Sequence, residues 1–202
     1  MLPSTTRKAP SANVATALTK LQPDIVTVAV PYQFQRSIVS EITGGTHLPR
    51  RLLLEKPLAE NLEDAEWIVA ECARHGIDLL VNNECAAPVY EQVRCLLEER
   101  FDNQVIGVNA SCSSGLHAVG IHLIGALHYL FGNVDWVRAT LEQKHVESLP
   151  FSKNFVPTDL RAHAFLSFGN GISGFLLNSA LLQYTYKEIE ILCQGGKLRL
   201  SD

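Results

Sequence analysis

The stretch RLLLEKPLAENLEDAEW, residues 51–67, passes from an apolar strand through a charged turn into a helix, and it decides how this chain folds. Its three consecutive leucines predict a strand that is buried on both faces, as the strands of parallel sheets are. Asn61 is a suitable N-cap for the helix that follows, which Gly76 ends. Glu55-Lys56-Pro57 places a charge pair on a rigid turn directly after the buried strand, which indicates that a ligand uses the turn.

Strand and helix signals alternate on both sides of this stretch. The β-branched run at 24–30 predicts another buried strand, which Pro31 ends, and residues 77–83 predict a third. Helices are predicted at 10–22 and 32–43, and Gly44-Gly45 end the second of them. Strands that alternate with helices of this length predict βαβ units and a parallel sheet with right-handed crossovers.

The pattern changes after residue 84. Helices are predicted at 88–100 and 118–131, and strands at 104–113, 135–143, 161–168, 171–180, 188–194 and 197–201. The FGNG segment at 168–171 is a hairpin signal, because Asn-Gly accepts the positive φ angles of a tight turn. The sequence therefore predicts a partial Rossmann-like α/β domain at 1–84 and an α+β domain at 85–202 with a mostly antiparallel open sheet.

Composition excludes several classes of protein. The 202 residues are 47% hydrophobic and 19% charged with a net charge of −4, so no broad basic surface for nucleic acid is expected. The apolar runs are too short to span a membrane, and residues 1–20 have no signal-peptide core. Five cysteines without a C-x-x-C pair indicate reduced thiols in a cytoplasmic protein, with neither a disulfide frame nor a metal site.

Three segments carry a family resemblance: VAVPYQFQ (28–35), LLLEKPLAE (52–60) and GIHLIGALHYLFG (120–132). In this order they resemble the glucose–fructose oxidoreductase, inositol dehydrogenase and rhizopine-catabolism family, Gfo/Idh/MocA. The resemblance implies an oxidoreductase that uses NAD or NADP and acts on a sugar, cyclitol or related polyol. It also implies that the substrate and cofactor meet between the two domains.

The same resemblance assigns roles to individual residues. Lys56 matches the family lysine near the nicotinamide and the substrate hydroxyl, and His122 matches a histidine that serves as acid/base or substrate ligand. The residues that would border the cofactor are Ala29, Val30, Pro31, Glu55 and Lys56. Simpler interpretations remain open: a solvated turn at 55–56, a structural histidine at the core edge, and a strand-ending proline.

The chain also departs from the family pattern. Ala118 and Gly125 stand where aspartates are usual near the histidine, Cys85 replaces an arginine, and Gln35 replaces a histidine. No G-x-G-x-x-G turn precedes the strand at 24–30, so the N-terminal part of a Rossmann domain is missing from the pattern and weak dinucleotide binding is expected. A non-catalytic pseudoenzyme, or a protein of the same family that senses or binds a ligand, is therefore the alternative.

Three structural expectations follow. The Lys56–Pro57 peptide bond is predicted to be cis, which would turn the lysine toward a ligand. Lys56 and His122 are predicted to face one cleft between the domains. Apolar residues on both sides of the strands at 161–168 and 171–180 predict a homodimer or tetramer that forms through the C-terminal sheet.

Overall fold

The computed structural model describes residues 13–83, 88–143, 160–179, 182, 184 and 186–201. The polypeptide divides into two units, Met1–Asn82 and Asn83–Asp202. The sequence places the domain boundary two residues later, at 84/85. Each unit has its own sheet and its own hydrophobic core.

Among its described residues, the first unit has a three-stranded parallel sheet and three helices. Its elements in chain order are α1 (Val14–Leu21), β1 (Ile25–Val28), α2 (Tyr32–Thr43), β2 (Arg51–Glu55), α3 (Leu62–Arg74) and β3 (Asp78–Asn82). The strands lie in the order β1-β2-β3, and both neighbouring pairs are parallel. The predicted partial Rossmann-like sheet is thereby confirmed.

Caps in the sequence set the starts of two of these helices. The Asn13 side chain accepts a hydrogen bond from the Thr16 backbone N–H at 2.8 Å, so α1 begins at Val14, four residues later than predicted. Asn61 caps α3 as predicted, accepting from the Asp64 N–H at 2.9 Å. Gly76 follows α3 with a φ of 67°, a conformation that suits glycine.

The helices of this unit bury only one face of the sheet. The core joins residues of all three helices to alternate strand residues: Leu18, Val39, Ile42, Ile68, Cys72, Val28, Leu52 and Leu54. On the other face Ile25 is 60% exposed and Leu80 is 58% exposed. The prediction that these strands are buried on both faces is therefore wrong for the described chain, because its helices cover one face only.

The second unit is a six-stranded mixed sheet with two helices among its described residues. Its elements are α4 (Pro88–Phe101), β4 (Val105–Ser113), a π-helical turn (Leu116–Gly120), α5 (Ile121–Phe131), β5 (Val134–Gln143), β6 (Leu160–Phe168), β7 (Ser173–Ser179), β8 (Lys187–Cys193) and β9 (Gly196–Ser201). The strand order is β5-β6-β7-β4-β8-β9. Only the β4–β7 pair is parallel, so the predicted mostly antiparallel sheet is confirmed.

The FGNG turn forms the predicted hairpin between β6 and β7. Gly171 has a φ of 83°, and its N–H donates to the Phe168 carbonyl at 2.9 Å. The Asn170 side chain accepts from the Ile172 N–H and donates to the Phe131 carbonyl, both at 3.2 Å. The turn is thus attached to the end of α5 as well as to its own strands.

The helices of the second unit cover one face of its sheet. Buried side chains from α4 and α5, including Leu97, Leu123 and Leu127, pack on alternate residues of the central strands. The opposite face carries an aromatic cluster of Trp136, Phe165 and Phe175. Among the described residues no helix is long and apolar enough to cross a membrane.

Candidate active site

A buried side chain fixes the backbone of residues 55–57, which we call the Lys56 turn. Gln35, on α2, is fully buried and donates from Nε2 to the backbone carbonyls of Glu55 at 2.8 Å and Pro57 at 3.0 Å. These two carbonyls flank Lys56 on either side, so one amide group fixes the backbone on both sides of the lysine. The Lys56–Pro57 bond is cis, as predicted.

The Glu55 side chain connects β2 to β3. Its carboxylate accepts a hydrogen bond from Asn82 Nδ2 at 2.8 Å, and the two residues are partners in the parallel register. Glu55 is half-buried, as is Lys56. Because parallel strands end at the same edge of a sheet, this pair and Lys56 all lie at the carboxyl edge, where α/β proteins bind ligands.

The residues predicted to border the cofactor lie at the same edge. Val28 pairs with Leu54 in the β1–β2 register, so Ala29, Val30 and Pro31 leave β1 beside the Glu55–Lys56 end of β2. Ala29 and Pro31 are exposed, whereas Val30 is half-buried against the core. Pro31 is the N-cap residue of α2, and its carbonyl accepts from the Phe34 N–H at 2.9 Å.

The glycines of the first unit do not stand at the position of a pyrophosphate-binding turn. A pyrophosphate group needs a glycine turn between a strand and the start of a helix. The glycines of the first unit are Gly44 and Gly45, which lie between α2 and β2, and Gly76, which lies between α3 and β3. Each follows a helix, so none of these three glycines stands between a strand and the start of a helix.

His122, the second predicted catalytic residue, lies at the start of α5. Its Nδ1 is 3.2 Å from Oδ1 of Asn83, and both side chains are half-buried. Sequence reasoning missed Asn83 as a partner, although an asparagine directly after a strand that ends at the ligand edge was the available signal. Gln35 was noted only as a replacement for a histidine, and its role became visible through its two hydrogen bonds.

A π-helical turn precedes His122 and changes the register of this helix. The Gly120 N–H donates to the Gly115 carbonyl five residues earlier, at 3.1 Å. The sequence predicts a regular helix from residue 118, whereas the structure is π-helical through Gly120 and α5 begins at Ile121. A Cβ atom at Gly120 would lie 3.1 Å from Leu116 Cδ1, so a larger residue there would require the leucine side chain to shift.

The remaining predictions about the site are not tested by this geometry. Lys56 belongs to the first unit and His122 to the second, and their meeting in one cleft stays a prediction. Cys85 lies outside the described residues. Across the described ranges, no group of three His, Cys, Asp or Glu side chains could hold a metal ion.

Comparison with known families identifies the class of protein to which this fold belongs. A family described as "Oxidoreductase family, NAD-binding Rossmann fold" matches residues 4–83. The "GFO/IDH/MocA C-terminal domain" matches residues 93–199, which is more than half of the chain. The chain belongs to the Gfo/Idh/MocA oxidoreductase family. No curated protein matches it.

Solved structures share the fold at low sequence identity. GenD2 from gentamicin A biosynthesis, in complex with NAD, has a TM-score of 0.76 at 17% identity, over 95% of this chain and 58% of that one. The WlbA dehydrogenase from Bordetella pertussis, with NADH and UDP-GlcNAcA, has a TM-score of 0.77 at 17% identity, over 95% and 63%. An inositol dehydrogenase homolog from Azotobacter vinelandii, with NADH and myo-inositol, has a TM-score of 0.70 at 18% identity, over 89% and 51%. The chain therefore spans less than two thirds of the length of each.

Proposed function

We propose that this chain carries the substrate-oxidising site of an NAD- or NADP-dependent oxidoreductase that acts on a hydroxyl of a sugar, cyclitol or related polyol. The observation that carries the proposal is the Lys56 turn. A buried glutamine fixes both carbonyls that flank the lysine, at the ligand edge of a parallel sheet. A solvated turn of no function would not need a buried amide to hold it, because water would satisfy those carbonyls.

The proposed chemistry is proton transfer by the chain's own residues. Lys56 donates a hydrogen bond to the substrate hydroxyl oxygen, positions the reacting carbon and favours loss of the hydroxyl proton. His122 serves as the acid/base group or as a ligand to a neighbouring hydroxyl. Ala29, Val30, Pro31 and Glu55 border the nicotinamide, which when bound supplies the hydride acceptor.

The ligands of the similar structures support the choice of substrate class. WlbA was crystallised with a UDP-linked sugar acid, and the inositol dehydrogenase homolog was crystallised with a cyclitol. Both molecules offer several secondary hydroxyl groups. A panel of sugars, nucleotide sugars and cyclitols is therefore the right starting set for this chain.

The test is the formation of reduced cofactor by the full chain, followed by absorbance, with each member of that panel and with NAD or NADP in excess. Lys56→Ala should reduce the rate on the best substrate by about 10²-fold or more, as expected for loss of a group that assists proton transfer. Lys20→Ala, at an exposed site in the last turn of α1, is the matched control and should keep the rate. Equal rates for wild type and Lys56→Ala would refute the role of the lysine.

A non-catalytic function within the same family is the second candidate. It is favoured by Ala118 and Gly125, which supply no carboxylate near His122. On this account the chain binds a polyol without oxidising it and has weak or no affinity for NADH and NADPH. Calorimetric titration separates the two: sugar binding without turnover favours the second function, and micromolar dinucleotide affinity would contradict it.

The open face of the second unit's sheet supports a homodimer or tetramer as part of the same proposal. Phe175 is 57% exposed, Trp136 is 50% exposed, and Phe165 joins their rings into one cluster. On β8 and β9 the same face carries the ion pairs Lys197–Glu190 and Arg199–Glu188. A second copy would cover the apolar half, which a single chain leaves in water.

Unpaired thiols at Cys72, Cys95 and Cys193 favour a reducing, cytoplasmic setting.

A further inference from the structure

We propose that Asn83 is a positioning residue that sets the tautomer of His122, so that Nδ1 carries the proton and Nε2 keeps its lone pair for the substrate. The catalytic consequence rests on the proposed oxidoreductase function, whereas the tautomer itself can be measured without any turnover. The inference assigns a partner to the histidine in place of the carboxylate that Ala118 does not supply.

The geometry carries the assignment. Asn83 Oδ1 and His122 Nδ1 are 3.2 Å apart, which is hydrogen-bonding distance. An amide oxygen can only accept, so the shared proton belongs to the ring nitrogen. Neutral imidazole has one proton on its ring nitrogens, and Nε2 is therefore left as an acceptor.

The positions of the two residues favour a fixed geometry. Asn83 immediately follows β3, and His122 is the second residue of α5, next to the fully buried Leu123. Both side chains are half-buried, which limits competition from water for the amide oxygen. The π turn, with its Gly120–Gly115 hydrogen bond, sets where α5 begins and therefore sets the position of the His122 imidazole.

An amide partner has a different chemical effect from a carboxylate. Either group can orient the ring and select the Nδ1–H tautomer, which leaves Nε2 able to accept a proton from a substrate hydroxyl. A carboxylate also stabilises the imidazolium that forms when Nε2 takes that proton, whereas a neutral amide contributes much less. Asn83 therefore gives His122 the correct tautomer and a weaker basicity than an aspartate would.

The direct test is nitrogen NMR of the full chain labelled with ¹⁵N-histidine, at a pH where the imidazoles are neutral. The protein contains two reference rings. His128 Nδ1 lies 3.2 Å from the Gly132 carbonyl and His47 Nε2 lies 3.0 Å from the Pro23 carbonyl, and a carbonyl accepts only. His128 should thus show the Nδ1–H pattern and His47 the Nε2–H pattern. The His122 signals are assigned by their loss in His122→Gln.

The proposal predicts that His122 gives the same Nδ1–H pattern as His128. In Asn83→Ala the Nδ1–H population should fall and the Nε2–H form should become the major one. Asn109→Ala, an exposed asparagine on β4, should leave the His122 pattern unchanged. An Nε2–H pattern for His122 in the wild-type chain would overturn the proposal, and so would a pattern that is the same in Asn83→Ala while the His47 and His128 signals show an intact fold.

A second variant tests the catalytic consequence. Asn83→Asp supplies a carboxylate at the same place, so it should move the His122 titration to higher pH and raise the turnover of a reactive polyol by about tenfold or more. An unchanged titration of His122 in Asn83→Asp would contradict the contact. If His122 has the predicted tautomer but no variant oxidises any polyol, then the proposed function fails while the assignment of Asn83 stands.

Discussion

Replacing Gln35 by methionine should destabilise the first unit by about 2–3 kcal/mol. The two side chains have similar length and volume, so the change removes the amide without opening a large cavity. It removes the Nε2 donor of two hydrogen bonds and leaves the carbonyls of Glu55 and Pro57 without it.

The magnitude follows from those contacts. A neutral hydrogen bond contributes about 1 kcal/mol net, and a half-buried carbonyl left without its donor adds up to about 1 kcal/mol, so two bonds give roughly 3–4 kcal/mol. Gln35 Oε1 is buried and accepts no hydrogen bond from the described chain. Removing this unsatisfied acceptor stabilises the variant by about 1 kcal/mol, which offsets part of the loss. The net expected loss in the free energy of unfolding is therefore about 2–3 kcal/mol.

The assay is urea unfolding followed by tryptophan fluorescence. The chain has two tryptophans, Trp67 on α3 and Trp136 on β5, so a Trp136→Phe background makes the signal report the first unit alone. Gln33→Met, at an exposed position on the same helix, is the matched control and should change stability by less than about 0.5 kcal/mol. Equal stabilities for the Gln35 and Gln33 variants would refute the account of the Lys56 turn.

Three other predictions rest on single contacts. Asn61→Ala should cost the first unit about 1 kcal/mol in the same assay, because it removes the cap on the Asp64 N–H, and an unchanged midpoint would contradict that role. Phe175→Glu should convert the predicted oligomer to monomer in light scattering, whereas a wild-type chain that is already monomeric would argue against an interface on this sheet. Burial raises the pKa of the Cys72 and Cys193 thiols and also shields them from reagents, whereas Cys95 is exposed. Iodoacetamide, followed by mass spectrometry, should therefore modify Cys95 before Cys72 and Cys193, and faster labelling of Cys72 would contradict this order.

Local sequence signals predicted most of the elements because their causes are local. The apolar run of β2, the Asn61 cap and Gly76 gave α3 bounds that agree with the structure within one residue. The Asn-Gly turn located the β6–β7 hairpin for the same reason, since its φ angles depend on the two residues themselves. The cis bond before Pro57 belongs to this group as well.

Features that depend on distant partners could not be found in this way. β4 and β7 are parallel neighbours although about sixty residues separate them. The residue pattern of one strand does not predict which other strand will pair with it. The π turn before α5 contains a hydrogen bond from the Gly120 N–H to the Gly115 carbonyl, which the apolar period of the sequence does not indicate.

The residues of the candidate site likewise fall into those that local motifs predict and those that only long-range contacts identify. Lys56 and His122 were found through motifs, whereas Gln35 and Asn83 emerge from contacts that span 22 and 39 residues. A glutamine on an amphipathic helix and an asparagine after a strand are common in sequences. Only the fold shows that the first holds the lysine turn and that the second contacts the histidine.

The most direct test of the central claim is hydride transfer itself. The full chain is incubated with excess NAD or NADP and a polyol that carries deuterium on its secondary carbons, and the reduced cofactor is analysed by mass spectrometry for deuterium. This readout accumulates product, so it detects the slow turnover expected of a histidine paired with an amide. The account predicts deuterium in the cofactor formed by the wild-type chain, at a rate that falls by about 10²-fold in Lys56→Ala and falls in His122→Ala. Deuterium transfer by the wild-type chain no faster than by Lys56→Ala, across the whole panel and both cofactors, would contradict it.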